Sequence, residues 1–205
     1  TQAENRGDQA VAQNNSWSNS QAEQSYRTAL DDLGEALQTR REPTSEPASS
    51  DAPPPAPSAP EPASPRPGDL EPELQTAQER VTQKLTQLLT RLGQEEQKSG
   101  EAATSWSAEE ALNHFDQALQ HYEAAQEVDP RNETAQRGEA QVRAAIEKLH
   151  VREGRQNLAR GIQATPNNVP QAARELTAAL GHAEAALDAN PSSLDAVELG
   201  DEARR

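Results

Sequence analysis

Apolar residues return along this chain at helical spacing, and the spacing itself returns. Leu74, Ala77, Val81, Leu85, Leu88 and Leu92 advance by 3, 4, 4, 3 and 4, which lines one face of a helix. A second pattern, Ala111, Phe115, Ala118, Leu119, Tyr122 and Ala125, follows Thr104-Ser105-Trp106-Ser107. It has a copy 89 residues earlier, where Ala22, Tyr26, Ala29, Leu30, Leu33 and Ala36 follow Ser16-Trp17-Ser18. Another lies 61 residues later, as Ala172, Leu176, Ala179, Leu180, Ala183 and Ala186. The offset of 61 also carries Val81 onto Val142, Leu85 onto Ile146, Leu88 onto Leu149, Gly93 onto Gly154, Gly100 onto Gly161 and Pro130 onto Pro191. Recurrence of this kind predicts an all-α chain of stacked antiparallel helical hairpins, each burying its seam on the next.

The two intervals are unequal, and the segment 42–69 makes up the whole of the difference. Its composition is of another kind, with ten of the fifteen prolines and almost no large apolar side chains. Such a segment lacks the donors and the apolar surface to fold alone, so it is expected to be a disordered, solvated insertion. The resulting organisation is a truncated first repeat over 1–41, the linker over 42–69, and second and third repeats over 70–130 and 131–191. The start of a further helix or a terminal cap takes 192–205. By register residue 1 matches position 90 and residue 205 matches position 144, so both ends fall inside repeats and the natural protein is expected to continue beyond at least one of them.

Helix ends are marked. Ser107 with Glu110, Ser18 with Gln21 and Asn168 with Gln171 form cap-x-x-Glu/Gln boxes, which satisfy the first free amides of a helix. Pro130 and Pro191 stop the short helices, and Asn132 and Ser193 are placed to cap the next ones. Long helices are expected from about Leu70 to Ser99 and from about Asn132 to Ala164, with Gly93 and Gly154 as bends. Trp17 and Trp106 precede their caps, where packing on Ala22 or Ala111 as hydrophobic staples competes with a partner-binding role.

Tyr122-x-x-Ala125-x-x-Val128-Asp129-Pro130-x-Asn132-x-x-Ala135 resembles the second helix and turn of a tetratricopeptide repeat, and Ala183-x-x-Ala186-Leu187-x-x-Asn190-Pro191-x-Ser193-x-x-Ala196 resembles another. The period departs from that family, 61 residues here against about 34 there. The resemblance implies an elongated tetratricopeptide-like α-solenoid that binds other proteins along a groove lined by its long helices. Arg91 and Arg152, repeat equivalents on those helices, are then candidates to contact a carboxylate or peptide backbone.

Composition narrows the chemistry. The net charge is -15, which opposes the clustered Lys and Arg of a nucleic-acid footprint and favours neutral or basic partners. No apolar run approaches the roughly 20 residues that cross a bilayer. There is no cysteine, hence no thiolate site, and none of the four histidines forms an i,i+4 ligand pair. The acidic pairs Asp31-Asp32, Glu95-Glu96 and Glu109-Glu110 diverge on their helices and cannot flank one bond. Without a phosphate loop or a nucleophile motif, the expectation is a non-enzymatic interaction scaffold with no cofactor. A self-associating spacer is the alternative. Arginine in place of lysine, abundant alanine and the Pro/Ala/Ser/Glu linker suggest a bacterial protein of the envelope or periplasm.

Overall fold

The computed structural model describes Glu4, Arg6, residues 16–41 and residues 71–205, with the side chains of 16–18, 40 and 41 left aside. The proline-rich linker lies outside the described residues. Those described form six helices and no strand: α1 Ser16–Arg41, α2 Glu71–Ala103, α3 Ala108–Val128, α4 Glu133–Ala164, α5 Val169–Ala189 and α6 Leu194–Arg204. Contacts divide the chain into two compact units, Thr1–Leu88 and Leu89–Arg205, so the dividing line falls within α2 and not at a repeat boundary.

In the first unit the buried apolar residues include Ala22, Tyr26, Ala29 and Leu33 of α1 and Val81, Leu85 and Leu88 of α2. Lys84 forms an ion pair of 3.0 Å with the buried Glu4. Helix α1 begins at Ser16, two residues before the cap expected at Ser18.

In the second unit the short helices bury the register that the repeat assigns them. Ala111, Phe115, Ala118, Tyr122 and Ala125 of α3 are inaccessible, as are Ala172, Ala179, Ala183 and Ala186 of α5. Each sits one or two turns from the last, so each of these two short helices presents a narrow apolar stripe. Complete burial of Phe115 or Tyr122 contributes about 1.5–3 kcal/mol each, whereas alanines contribute less and let backbones approach. Helix α4 packs on α3 and α5, and α6 packs on α5 and α4.

The caps form as the spacing predicts. Ser107 Oγ accepts from the Glu110 amide, and Asn168 Oδ1 accepts from that of Gln171. Asn132 Oδ1 takes the amides of Thr134 and Ala135, and Ser193 Oγ takes that of Ala196. Helix α2 runs four residues beyond the expected Ser99.

Neither Gly93 nor Gly154 interrupts its helix. Their place has a packing reason. A Cβ on Gly93 would lie 2.8 Å from the Tyr122 ring, one on Gly100 would lie 2.6 Å from that of Phe115, and one on Gly138 would strike Tyr122 from α4. On α4 a Cβ at Gly154 would strike Leu199 and at Gly161 would lie 2.9 Å from Leu176. The glycines are seats for neighbouring side chains. Because 93 and 100 meet 122 and 115 in descending order, and 154 and 161 meet 182 and 176 likewise, α2/α3 and α4/α5 are antiparallel hairpins.

Candidate functional site

Helix α4 buries Leu149, Val151, Gly154, Leu158 and Gly161 against its neighbours. On the side left over, Lys148, Arg152, Arg155, Ala159 and Ile162 are exposed at steps of 4, 3, 4 and 3. That spacing keeps one stripe facing outward along the helix. A groove of about 540 Å³ lies beside it, lined by Glu147, Lys148, Val151, Arg152, Arg155, Gln156 and Ala159 of α4 and by Asp195 at the start of α6.

Three cations therefore border one groove in a chain with a large acidic excess. Arg152 is paired with Glu153 at 3.1 Å, Arg155 with Asp195 at 2.6 Å, and Glu147 accepts from Asn190 Nδ2 at 2.8 Å. The Arg155 pair is exposed and the Arg152 pair partly so; surface pairs of this kind are worth about 0–1 kcal/mol, and the cation can exchange its partner for another carboxylate or carbonyl. The floor is apolar, because Val151 packs with Ala186 and Ala196 beneath it. A surface of this make-up offers charged donors beside an apolar floor, the chemistry that binds and orients an extended or helical peptide.

Of the residues singled out in the sequence, Arg152 lies in the groove. Arg91, its equivalent on α2, is half-buried and 3.6 Å from Glu95. Trp106 is 63% exposed. Its amide donates to Ala103 in the turn, and the Gly100 backbone packs closely beside Ala111. The Trp17 side chain lies outside those described. Sequence reasoning does not single out Lys148 and Arg155, although their 4,3 spacing about Arg152 is readable as a stripe.

The other polar clusters are structural contacts. His114 Nδ1 is 2.7 Å from Glu96, and Glu95 is held by Arg91. Tyr122 donates to Gln97 Oε1 at 3.0 Å; burial, with the charge of Glu101 adding to it, pushes its phenol up from the ordinary value. The hydrogen bond from Gln126 holds the Glu139 carboxyl below its ordinary value against the effect of burial, with Arg143 helping. Among the described residues no three His, Asp or Glu side chains converge on a point that a metal would occupy, and no helix is long and apolar enough to cross a membrane. No protein-family model matches this chain, and no curated protein or solved structure matches it.

Proposed function

We propose that the protein is a non-enzymatic interaction scaffold, a tetratricopeptide-like stack of helical hairpins that holds a segment of another protein against the exposed stripe of α4. The setting proposed is a bacterial envelope or membrane-associated assembly. The observation that carries the reading is the groove at Lys148, Arg152 and Arg155, where replaceable ion pairs sit over an apolar floor. There the cations would receive a partner's carboxylates or backbone carbonyls. Around the groove the acidic surface favours neutral or basic partner surfaces.

The test is a photo-crosslinking amino acid placed at Gln156 in the groove and, as control, at Gln171 on the exposed side of α5. A partner captured from Gln156 and not from Gln171, and lost in Arg152→Glu/Arg155→Glu, is the expected result. Equal capture at both positions, or capture indifferent to the charge reversal, ends the reading. Self-association is the second possibility, because Leu194 is 83% and Val197 47% exposed on α6. Sedimentation separates the two: a monomer whose mass holds as concentration rises excludes a self-assembling spacer.

A further inference from the structure

Two histidines on different helices meet within the second unit. His150 Nδ1 of α4 lies 3.1 Å from His182 Nδ1 of α5, with ring centroids 5.4 Å apart and planes tilted by 40°. Both rings are half-buried. At that distance one Nδ1 carries the hydrogen and the other offers its lone pair. A neutral pair and a singly protonated pair both satisfy this bond, whereas two imidazolium rings present two N–H groups and two positive charges to each other.

Repeat register adds a second observation. The residue 61 positions before His150 is Leu89, fully buried, and the residue 61 before His182 is His121. The chain thus fills the same position of the preceding hairpin with a side chain that cannot titrate. Packing alone does not ask for a histidine at 150.

We infer that His150 and His182 form a proton-operated latch between α4 and α5, closed near neutral pH and loosened when both rings are charged in acid. The groups that act on His150 are few: His182 from α5, Asp116 from α3 and Glu153 from its own helix. Against Gly154, one turn along α4, helix α6 contributes the apolar Leu199. Burial, and then the His182 charge, hold His150 below its ordinary value, with Asp116 and Glu153 opposing. The sign follows. Well above the ordinary histidine value His150 is neutral in both the folded and the unfolded chain, and the contact is intact. As pH falls, the unfolded chain takes up a proton that the folded one resists, so stability is lost through the folded pKa. Neither histidine is among the residues that line the groove.

Histidine ring NMR titration of the whole chain tests it, alongside melting at pH 7.5 and 5.0. In the wild type His150 should titrate below its ordinary value, and in His182→Gln its step should move up, as coupled sites require. His150→Leu, which installs the residue of the preceding repeat, should reduce the acid-induced fall in Tm by a few °C relative to wild type. Independent titration of the two rings near 6.5, unmoved by substitution of the partner, would overturn the latch. So would an equal acid-induced Tm fall in wild type and His150→Leu.

Discussion

Two neighbouring seats in the second unit fill the same space by opposite means. Around Tyr122 the short helix supplies the bulk, and both long helices give way to it at Gly93 and Gly138. One repeat on, Gly154 is kept, but Ala183 stands for Tyr122 and Leu199 for Gly138, and it is the Leu199 side chain that covers Gly154. The bulk has moved from the second helix of the hairpin to α6, which follows it. What recurs from one repeat to the next is therefore a volume between helices and not a residue, as expected where packing tolerates exchange that conserves volume.

The sharpest way to break that equivalence is at Tyr122 itself. Tyr122→Ala should cost about 3–5 kcal/mol, the range for emptying a buried aromatic site. Gly138→Leu alone should cost about 1–3 kcal/mol or more by overpacking against the ring. Combined, the two substitutions rebuild the Ala183/Leu199 arrangement, so the double variant should be more stable than the sum by at least about 1 kcal/mol. Denaturant unfolding of the four proteins measures the coupling. Additive costs would mean that the two seats are not versions of one another.

A smaller difference separates the caps at the two turns. Asn132 accepts from two amides and donates through Nδ2 to Thr90 Oγ1 at 2.8 Å. Ser193 accepts from one amide, and the residue equivalent to Thr90 is Val151, packed with Ala186 and Ala196. One turn is tied to the preceding long helix by a polar contact, the other by an apolar one. Asn132→Ala should cost about 1–2 kcal/mol and Asn132→Ser distinctly less, since serine restores the cap and not the reach to Thr90. Ser193→Ala should cost about 1 kcal/mol. If Asn132→Ser costs as much as Asn132→Ala, the tie to Thr90 and not the cap carries the turn.

Much of this architecture is legible in the sequence because helix stripes and caps are local. The buried set at Ala111, Phe115, Ala118, Tyr122 and Ala125 follows from helical spacing alone, and Ser107, Asn132, Asn168 and Ser193 cap where their side chains are placed to do so. The glycines are only partly legible, for a physical reason. A helix-weakening residue looks like a bend when its own helix is considered; its use at 93 and 154 depends on what another helix brings within contact distance. The groove is half legible in the same sense. Arg152 is identified by its repeat partner Arg91, but Lys148 and Arg155 have Gln87 and Gln94 as equivalents, so a search for recurrence passes over the residues that make this stripe of α4 basic. The histidine contact is out of reach, because 150 and 182 belong to different helices and neither the spacing nor the repeat joins them.

Trp106 supplies the finest distinction between the turns. As a staple on Ala111 it would be a structural demand repeated at every turn, and its loss would remove buried aromatic area. The structure leaves it mostly in solvent, and the equivalent residue at the next turn is the exposed Asn167, which no staple could use. Trp106→Ala should therefore leave the unfolding free energy within about 0.5 kcal/mol of the wild type, the usual range for an exposed site. A loss of several times that range in a denaturant titration would return the ring to the fold. An unchanged stability with weakened capture at Gln156 would instead place it among the residues a partner touches.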